Sequence, residues 1–493
     1  MSRESLDVQP RGFLDRHPVW VVFGIVAFGL LLRVYHIGAK SLWHDEAAVW
    51  WIASGTWSDV IALNVTWNSA PPLYALLLHL VMRLGSSEAV LRAIACVAGI
   101  AAIPAMYFLA RLFLSRNASY FCALLVAVSS WQVRYSREVR EYSLAFLLTI
   151  LVLFLFVRFL RGMKFRHGAL LALVSVIAVW TQYGLSLVIF GINLIVLGMV
   201  VSRKGEWRTL LLRWTLVMLP VVAAAGAVYC ISFRYQFSPG FGTSSQSYGY
   251  LQRGYWDGTV GSLAALALRN TYEIFNFANN APALLLFAGL VGCVRAWRHR
   301  ENRVAVMILV LPMLVTFSLA CARVYPYTGT RQDIFLTPAI YLIAGFGFTY
   351  VAELDKSRML QAVLTILLTV CAFGVTVGHL SYRGQEHLRP VVETLKKELR
   401  PGDRIYVHWG AWAAFRYYWR DRSEPFITGV PCAADPPKCL QEVDQVFSVP
   451  GRAWLVFSHD PKEHCVNVVA RIAKSRKCSL VASDSGAWLY LVE

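Results

Sequence analysis

Charge is scarce in this chain: 15% of its 493 residues are Asp, Glu, Lys or Arg, against about 25% in soluble proteins. Acids are the scarcer kind, 29 against 47 bases, while hydrophobic residues make up 57%. That balance excludes an ordinary soluble domain and leaves a polytopic membrane protein. No small-residue cleavage site follows the first apolar run, Val19 to Leu32, which passes into Arg33 and a bulky segment. The run therefore reads as a retained signal anchor. Neither zinc-finger spacing nor an Arg/aromatic repeat occurs, so the net charge of +18 does not point to a nucleic-acid partner.

What is present is a series of hydrophobic runs. They lie near 18–36, 89–110, 118–133, 143–160, 168–183, 184–202, 210–232, 281–297, 303–322, 333–351 and 359–380. These make about eleven spans of about 20 residues, with 118–133 and 168–183 on the short side. The bases collect between them. Arg3, Arg11 and Arg16 precede the first run. Arg111 and Arg116, then Arg158, Arg161, Lys164 and Arg166, then Arg203, Lys204 and Arg208 fill alternate loops. Arg295, Arg298, Arg300 and Arg303, followed by Lys356 and Arg358, continue the alternation. The positive-inside rule assigns this side, with residues 1–17, to the cytoplasm. The run Pro71–Met82 is too short to span, and counting it would invert every later loop. Residues 38–87 are accordingly expected to form one long external loop of interfacial helices. Trp43, Trp50, Trp51, Trp57 and Trp67 suit a membrane–water boundary there.

Beyond Tyr382 the hydropathy falls, and residues 381–493 read as a small external α/β domain. The pattern predicts an amphipathic helix near 387–399, a turn at Pro401-Gly402-Asp403 and a strand at 404–408. A second helix over 411–419 and strands at 453–458 and 487–492 follow. Cys96, Cys122, Cys230, Cys293, Cys321 and Cys371 sit in or beside apolar runs and read as small core residues. Cys432, Cys439, Cys465 and Cys478 cluster in the polar tail, which suggests disulfides and an oxidising compartment. Asn117-Ala118-Ser119 fits a glycosylation sequon but lies on the cytoplasmic side. Ser458-His459-Asp460 are consecutive and cannot make a nucleophilic triad.

The chemistry-bearing residues concentrate on the external face. Asp45-Glu46 is a carboxylate pair beside a membrane, costly unless it is used. Tyr135-Ser136-Arg137-Glu138-Val139-Arg140-Glu141-Tyr142 follows the third run, and Arg323 and Arg331 precede a late one. A carboxylate can take a proton from an acceptor hydroxyl, and arginines can hold a phosphate leaving group. His79 lies on an apolar helix and reads first as a structural hydrogen-bonding group. A divalent metal shared by Asp45, Glu138 and His79 stays open, since spacing alone does not decide it.

Together these residues resemble a known family. The external Asp-Glu, Pro71-Pro72-Leu73-Tyr74 leading to Leu76-Leu77-Leu78-His79, and Tyr135-Ser136-x-Glu138-x-Arg140-x-Tyr142 look like the bacterial C-type-fold membrane glycosyltransferases. Those enzymes use polyprenyl-phosphate-linked sugars and include relatives of protein O-mannosyltransferases, lipid A aminoarabinose transferases and rhizobial galacturonic acid transferases. The resemblance covers most of 18–380. It implies an inverting transfer at the anomeric carbon, with Asp45 as general base and Glu46 orienting the loop. It gives Glu138, Arg140 and Tyr142 to acceptor positioning or a second acidic motif, and Arg331 with Arg323 to the lipid phosphate. The acceptor would be lipopolysaccharide, another envelope glycan or a protein, and the place a bacterial inner membrane. Three departures bear on specificity: Glu141 replaces an apolar residue, Arg137 a common Gln, and Ala70 a charged or imidazole side chain before Pro71. A transporter or lipid flippase with an accessory domain is the competing reading. It is disfavoured because the charges lie in external loops and no inverted repeat is evident.

Overall fold

The computed structural model of the chain describes residues 18–202, 207–237, 249–354, 359–381, 386–430, 436–459 and 462–493. They form two compact units. The first comprises residues up to Tyr35, Asn68–Tyr74 and Ala93–Leu380; the second comprises His36–Trp67, Ala75–Arg92 and Ser381–Glu493.

The first unit is helical, as lipid demands, because a helix satisfies its own backbone donors and acceptors where water is missing. Every hydrophobic run expected from the sequence is a helix. Among the described residues seven helices are long and apolar enough to cross a membrane: Ala93–Ala110, Tyr142–Gly162, Leu185–Ser202, Trp207–Tyr235, Arg303–Cys321, Arg331–Val351 and Met359–Leu380. An eighth arises if Val260–Asn279 and Pro282–Arg298, bent by 102°, count as one span. Val19–Val34, Arg116–Val128 and Phe165–Thr181 are apolar but shorter. Two boundaries differ from expectation for a clear reason. The 89–110 run starts its long helix only at Ala93, because Arg92 turns away to meet polar partners. The 118–133 run stops at Val128, where Ser129 leaves the helical region (ψ 125°) and gives its hydroxyl to the Ala278 carbonyl at 2.8 Å.

Tyr142–Gly162 packs between Ala93–Ala110 and Phe165–Thr181, and its Phe146 and Phe156 are fully buried. Apolar side chains such as Leu212, Leu216, Leu219 and Ile366 are exposed, as on a lipid-facing surface. Cys230 and Cys371, expected in the core, are exposed, while Cys96 and Cys122 are buried. The tightest helix pair is Pro282–Arg298 against Thr337–Leu354. A Cβ at Gly292 would stand 2.5 Å from the Gly347 nitrogen, and one at Gly347 would stand 2.6 Å from the Ala288 oxygen.

The second unit is built on a five-stranded sheet with strands β1 (Arg404–Val407), β2 (Ile427–Thr428), β3 (Ala453–Ser458), β4 (Cys478–Asp484) and β5 (Ala487–Val492). Their order is β2-β1-β3-β5-β4. β1 runs parallel to β2 and β3, and β5 is antiparallel to β3 and β4. The central β3 is buried along its whole length. Helices Leu388–Glu398 and Trp412–Tyr418 lie where the sequence places them, and Pro436–Ser448 and Lys462–Ile472 are additional. Cys439 is disulfide-bonded, Cys465 and Cys478 carry thiols, and Cys432 and Asp460 lie outside the described residues.

Residues of the first loop belong to this unit. Helices His44–Ala53 and Trp57–Trp67 carry the tryptophans expected at an interface, yet several pack on the C-terminal segment. Trp412 meets Trp51 at 5.0 Å and Trp67 at 5.7 Å, and Tyr417 meets the buried Trp50 at 5.0 Å. Polar ties add to this: the Leu42 N–H donates to the Tyr418 hydroxyl (2.7 Å), and Tyr417 donates to the Ser86 carbonyl (2.7 Å).

The glycine contact makes a direct prediction. Gly347→Val forces its helix away from Pro282–Arg298 and costs about 1–3 kcal/mol, as overpacking does. The detergent-solubilised variant should melt several degrees lower; an unchanged melting curve would mean the two backbones do not touch.

Candidate functional site

The second unit holds the acidic pair. Trp43 precedes the helix in extended conformation (ψ 174°), so Asp45 and Glu46 fall in its first turn. Carboxylates are favoured there by the helix dipole. The two acids then diverge. Glu46 is buried, with 1% of its side chain exposed, and Arg92 clasps it in a two-pronged pair: Nε to Oε1 at 2.9 Å and Nη2 to Oε2 at 2.8 Å. The remaining Arg92 donors reach the carbonyls of Ile37 (2.7 Å), Lys40 (3.1 Å) and Ser41 (3.1 Å). One guanidinium thereby fixes both the loop 37–41 and the helix that follows it. Asp45, by contrast, is only half-buried.

A second cluster surrounds the same helix start. The His44 N–H donates to Glu386 Oε2 (3.0 Å), and Glu386 Oε1 accepts from His459 Nδ1 at 2.5 Å. The His44 and His459 rings stack at 4.6 Å, and His44 Nδ1 donates to the Gly410 carbonyl at 2.8 Å. Enclosure first, then the neighbouring His459, pulls the His44 pKa below its usual value, with Asp45 acting in the opposite direction. His44 is therefore neutral at pH 7 beside the proposed base. His79 Nδ1 hydrogen-bonds to the Ala53 carbonyl at 2.9 Å, and its ring lies 4.7 Å from Trp57. Among the described residues no three His, Cys, Asp or Glu side chains gather as a metal site requires.

The first unit brings together Glu138, Arg140, Tyr142 and Arg331. Glu138 Oε1 accepts from Arg134 Nε at 3.0 Å, and Arg140 Nε lies 3.3 Å from Glu141 Oε2. The departure at Glu141 thus serves as a partner for Arg140. Arg140 also donates to the Tyr142 hydroxyl (3.1 Å), and the Arg140 and Arg331 guanidiniums stand 5.3 and 5.8 Å from the same Tyr142 ring. Burial above all, reinforced by Glu138, raises the Tyr135 phenol far above its usual range, so it serves as a neutral group. Asp333 shapes the loop that presents Arg331: its Oδ2 accepts from Thr328 N (2.8 Å), Thr328 Oγ1 (3.0 Å) and Gly329 N (3.0 Å). Arg323 has other company, lining a cavity with Arg253 and Arg269.

Beneath the motif lies Arg33, wholly buried at the end of the first helix. It donates to the carbonyls of Gly29 (2.9 Å), Ala127 (3.0 Å) and Val126 (3.0 Å), and through Nε to Ser136 Oγ at 3.2 Å. Ser136 opens the stretch leading to Glu138, so Arg33 anchors it as Arg92 anchors the acidic loop. Neither arginine was identified from the sequence, although each is a lone base at the edge of an apolar run, which is a usable signal.

Removing one member of the Glu46–Arg92 pair leaves the other buried and uncompensated, at a cost of about 3–5 kcal/mol. Glu46→Gln and Arg92→Met should each lower the unfolding midpoint sharply, and the double variant should recover part of the loss. Additive losses in that double-mutant cycle would refute the coupling.

The fold and these clusters can be set against known proteins. Residues 69–231 match the family of dolichyl-phosphate-mannose-protein mannosyltransferases. No curated protein matches the chain. Among solved structures, ArnT from Cupriavidus metallidurans bound to undecaprenyl phosphate aligns with a TM-score of 0.60 and 15% identity, over 96% of this chain and 98% of that one. Its apo state gives 0.58 and 14%, over 97% and 98%. The oligosaccharyltransferase AglB from Archaeoglobus fulgidus, in complex with an inhibitory peptide and a dolichol-phosphate, gives 0.57 and 11%, over 97% and 74%. At such identities the likeness is one of fold. The chain thus shares the fold of these glycosyltransferase structures, with the mannosyltransferase family match lying inside it.

Proposed function

We propose that the enzyme moves one monosaccharide from a polyprenyl-phosphate carrier to an external acceptor, with inversion at the anomeric carbon and Asp45 as general base. The observation that carries this reading is the division of labour between adjacent acids: Glu46 is buried against Arg92, while Asp45 stays half-exposed on the same rigid turn. Undecaprenyl phosphate in ArnT and dolichol-phosphate in AglB support a lipid-phosphate donor.

In the proposed step the acceptor hydroxyl gives its proton to the Asp45 carboxylate as its oxygen bonds to the anomeric carbon. The bond from that carbon to the phosphate oxygen breaks, and the polyprenyl phosphate leaves as an anion. Arg331 is assigned to that phosphate, since its guanidinium can bind two oxygens at once. Glu138, Arg140 and Tyr142 position the acceptor, and Glu46 acts through the loop rather than on substrate. The neutral His44 beside Asp45 avoids a competing positive charge that would depress the basicity of the carboxylate. The acceptor is an envelope glycan, a glycolipid or a protein, and the placement of basic loops supports a bacterial inner membrane with the second unit outside.

Two measurements test this. Asp45→Asn, purified in detergent and given a radiolabelled polyprenyl-phosphate sugar with a cell-envelope extract, should lose about 10²–10⁴-fold in transfer rate. Transfer at the wild-type rate would remove Asp45 from the role of base. For orientation, an alkaline phosphatase fusion near residue 400 should be active, and an inactive, stably expressed fusion would reverse the topology.

A further inference from the structure

Three arginines of the first unit meet in a cavity of about 580 Å³ that Arg331 does not line. Its wall includes Arg253, Arg269 and Arg323 with Gln252, Trp256 and Asp257. Gathering three guanidiniums is electrostatically unfavourable unless something negative offsets them. The one carboxylate in this set is already engaged: Asp257 Oδ1 accepts from the Thr259 N–H (2.9 Å) and hydroxyl (2.8 Å), shaping the turn into the next helix. Among the described residues neither Arg253 nor Arg323 has a side-chain hydrogen bond or ion pair. Arg269 gives only its Nε to Asn270 Oδ1, at 3.2 Å.

The arginines arrive on unusual backbone. Arg269 sits in a π-helical turn, Leu266–Asn270, between two α-helical segments; such turns are rare and concentrate at functional sites. Arg323 follows the Arg303–Cys321 helix at φ +59°, a conformation that glycine adopts freely and a long side chain does not. Ending a helix needs no arginine there.

The three chain segments are also tied together before any ligand arrives. Buried Asn270 donates through Nδ2 to the carbonyls of Arg253 (2.9 Å) and Tyr327 (2.7 Å). The Tyr327 N–H donates to the Gly254 carbonyl at 3.0 Å, and the Trp256 N–H to the Ala320 carbonyl at 3.2 Å. A single asparagine thus links the π-turn, the 253–256 stretch and the loop after Arg323, and the guanidiniums converge on a preorganised frame.

We propose that this cavity is the recognition site for the acceptor and that it takes an anionic saccharide, a sugar bearing a phosphate or a carboxylate. The guanidinium fork matches both anions. The volume exceeds what a bare phosphate fills, and Trp256 and Gln252 add an aromatic surface and an amide suited to a sugar ring and its hydroxyls. The role as acceptor site rests on the transferase reading above, but the binding does not require Asp45 or any turnover, so the two fail separately.

The test is equilibrium binding to the full-length chain in detergent by isothermal titration calorimetry. The probes are a hexose 1-phosphate, a hexuronic acid, the neutral hexose, inorganic phosphate and farnesyl phosphate. The hexose phosphate and hexuronate should bind saturably, and more tightly than the neutral hexose or inorganic phosphate. Arg253→Gln/Arg269→Gln should weaken both by about tenfold or more, with an unchanged melting curve because both side chains are exposed. Farnesyl phosphate bound in preference to the sugars and lost in the double variant would assign the cavity to the donor lipid and overturn the proposal. Equal binding of neutral hexose, equal binding of inorganic phosphate, or wild-type affinity in the double variant would overturn it too.

Discussion

A buried guanidinium constrains a protein more tightly than any other side chain. It keeps its charge, and its five N–H donors must all find acceptors once water is excluded. Among the described residues the two most deeply buried arginines are Arg33 in the first unit and Arg92 in the second. Arg92 draws in a carboxylate and three backbone carbonyls, and Arg33 draws in three carbonyls and a hydroxyl. The acceptors of Arg92 all belong to the acidic loop and its helix, whereas Arg33 joins two helix ends to Ser136 of the second motif. The acidic loop closes around Arg92, and the Ser136–Tyr142 motif starts from Arg33. These arginines add little net stability, since desolvation offsets much of their attraction, but they permit only one arrangement of the surrounding loops.

Rigid loops matter because general-base catalysis is sensitive to small displacements of the reacting atoms. Asp45 lies next to Glu46 on a short helix, so fixing Glu46 fixes the backbone of Asp45, whose side chain is partly exposed. Glu386 strengthens the same point from the C-terminal segment by accepting the His44 N–H and holding His459. Within the second unit the C-terminal segment thus supports the first loop. The tryptophans follow from this: several of those read as membrane anchors pack instead against Trp412 and Tyr417.

Much of this was legible in the sequence because membrane segments are written in composition alone. Each apolar run forms a helix, and the strongly apolar stretches around Ile405–Val407, Trp454–Phe457 and Trp488–Val492 form the inner strands. What escaped lacks that signal. β4, Cys478–Asp484, is a half-exposed edge strand with a bulge between Leu480 and Ala482, so its alternation is broken. The pairing of the first loop with the tail depends on contacts hundreds of residues apart, as in the Glu88–Arg389 ion pair, and no local periodicity reports them. Arg331 and Arg323, similar in sequence context, separate because Asp333 folds the loop between them back on Thr328 and Gly329. Arg331 is turned toward Tyr142, whereas Arg323 joins Arg253 and Arg269.

The scarcity of acids sharpens the assignment of roles. A buried carboxylate needs partners, and the buried ones near the two motifs have them: Glu46 with Arg92, Glu138 with Arg134, Glu141 with Arg140, Glu386 with His459, and Asp333 with the Thr328–Gly329 backbone. A general base must accept a proton during transfer and return it to water before the next turnover. Among this group Asp45 alone is half-exposed, and its neighbour His44 is held neutral rather than cationic. The property that fits Asp45 to the proposed role of base is therefore its partial access to water, on a helix start held by the buried Glu46–Arg92 pair.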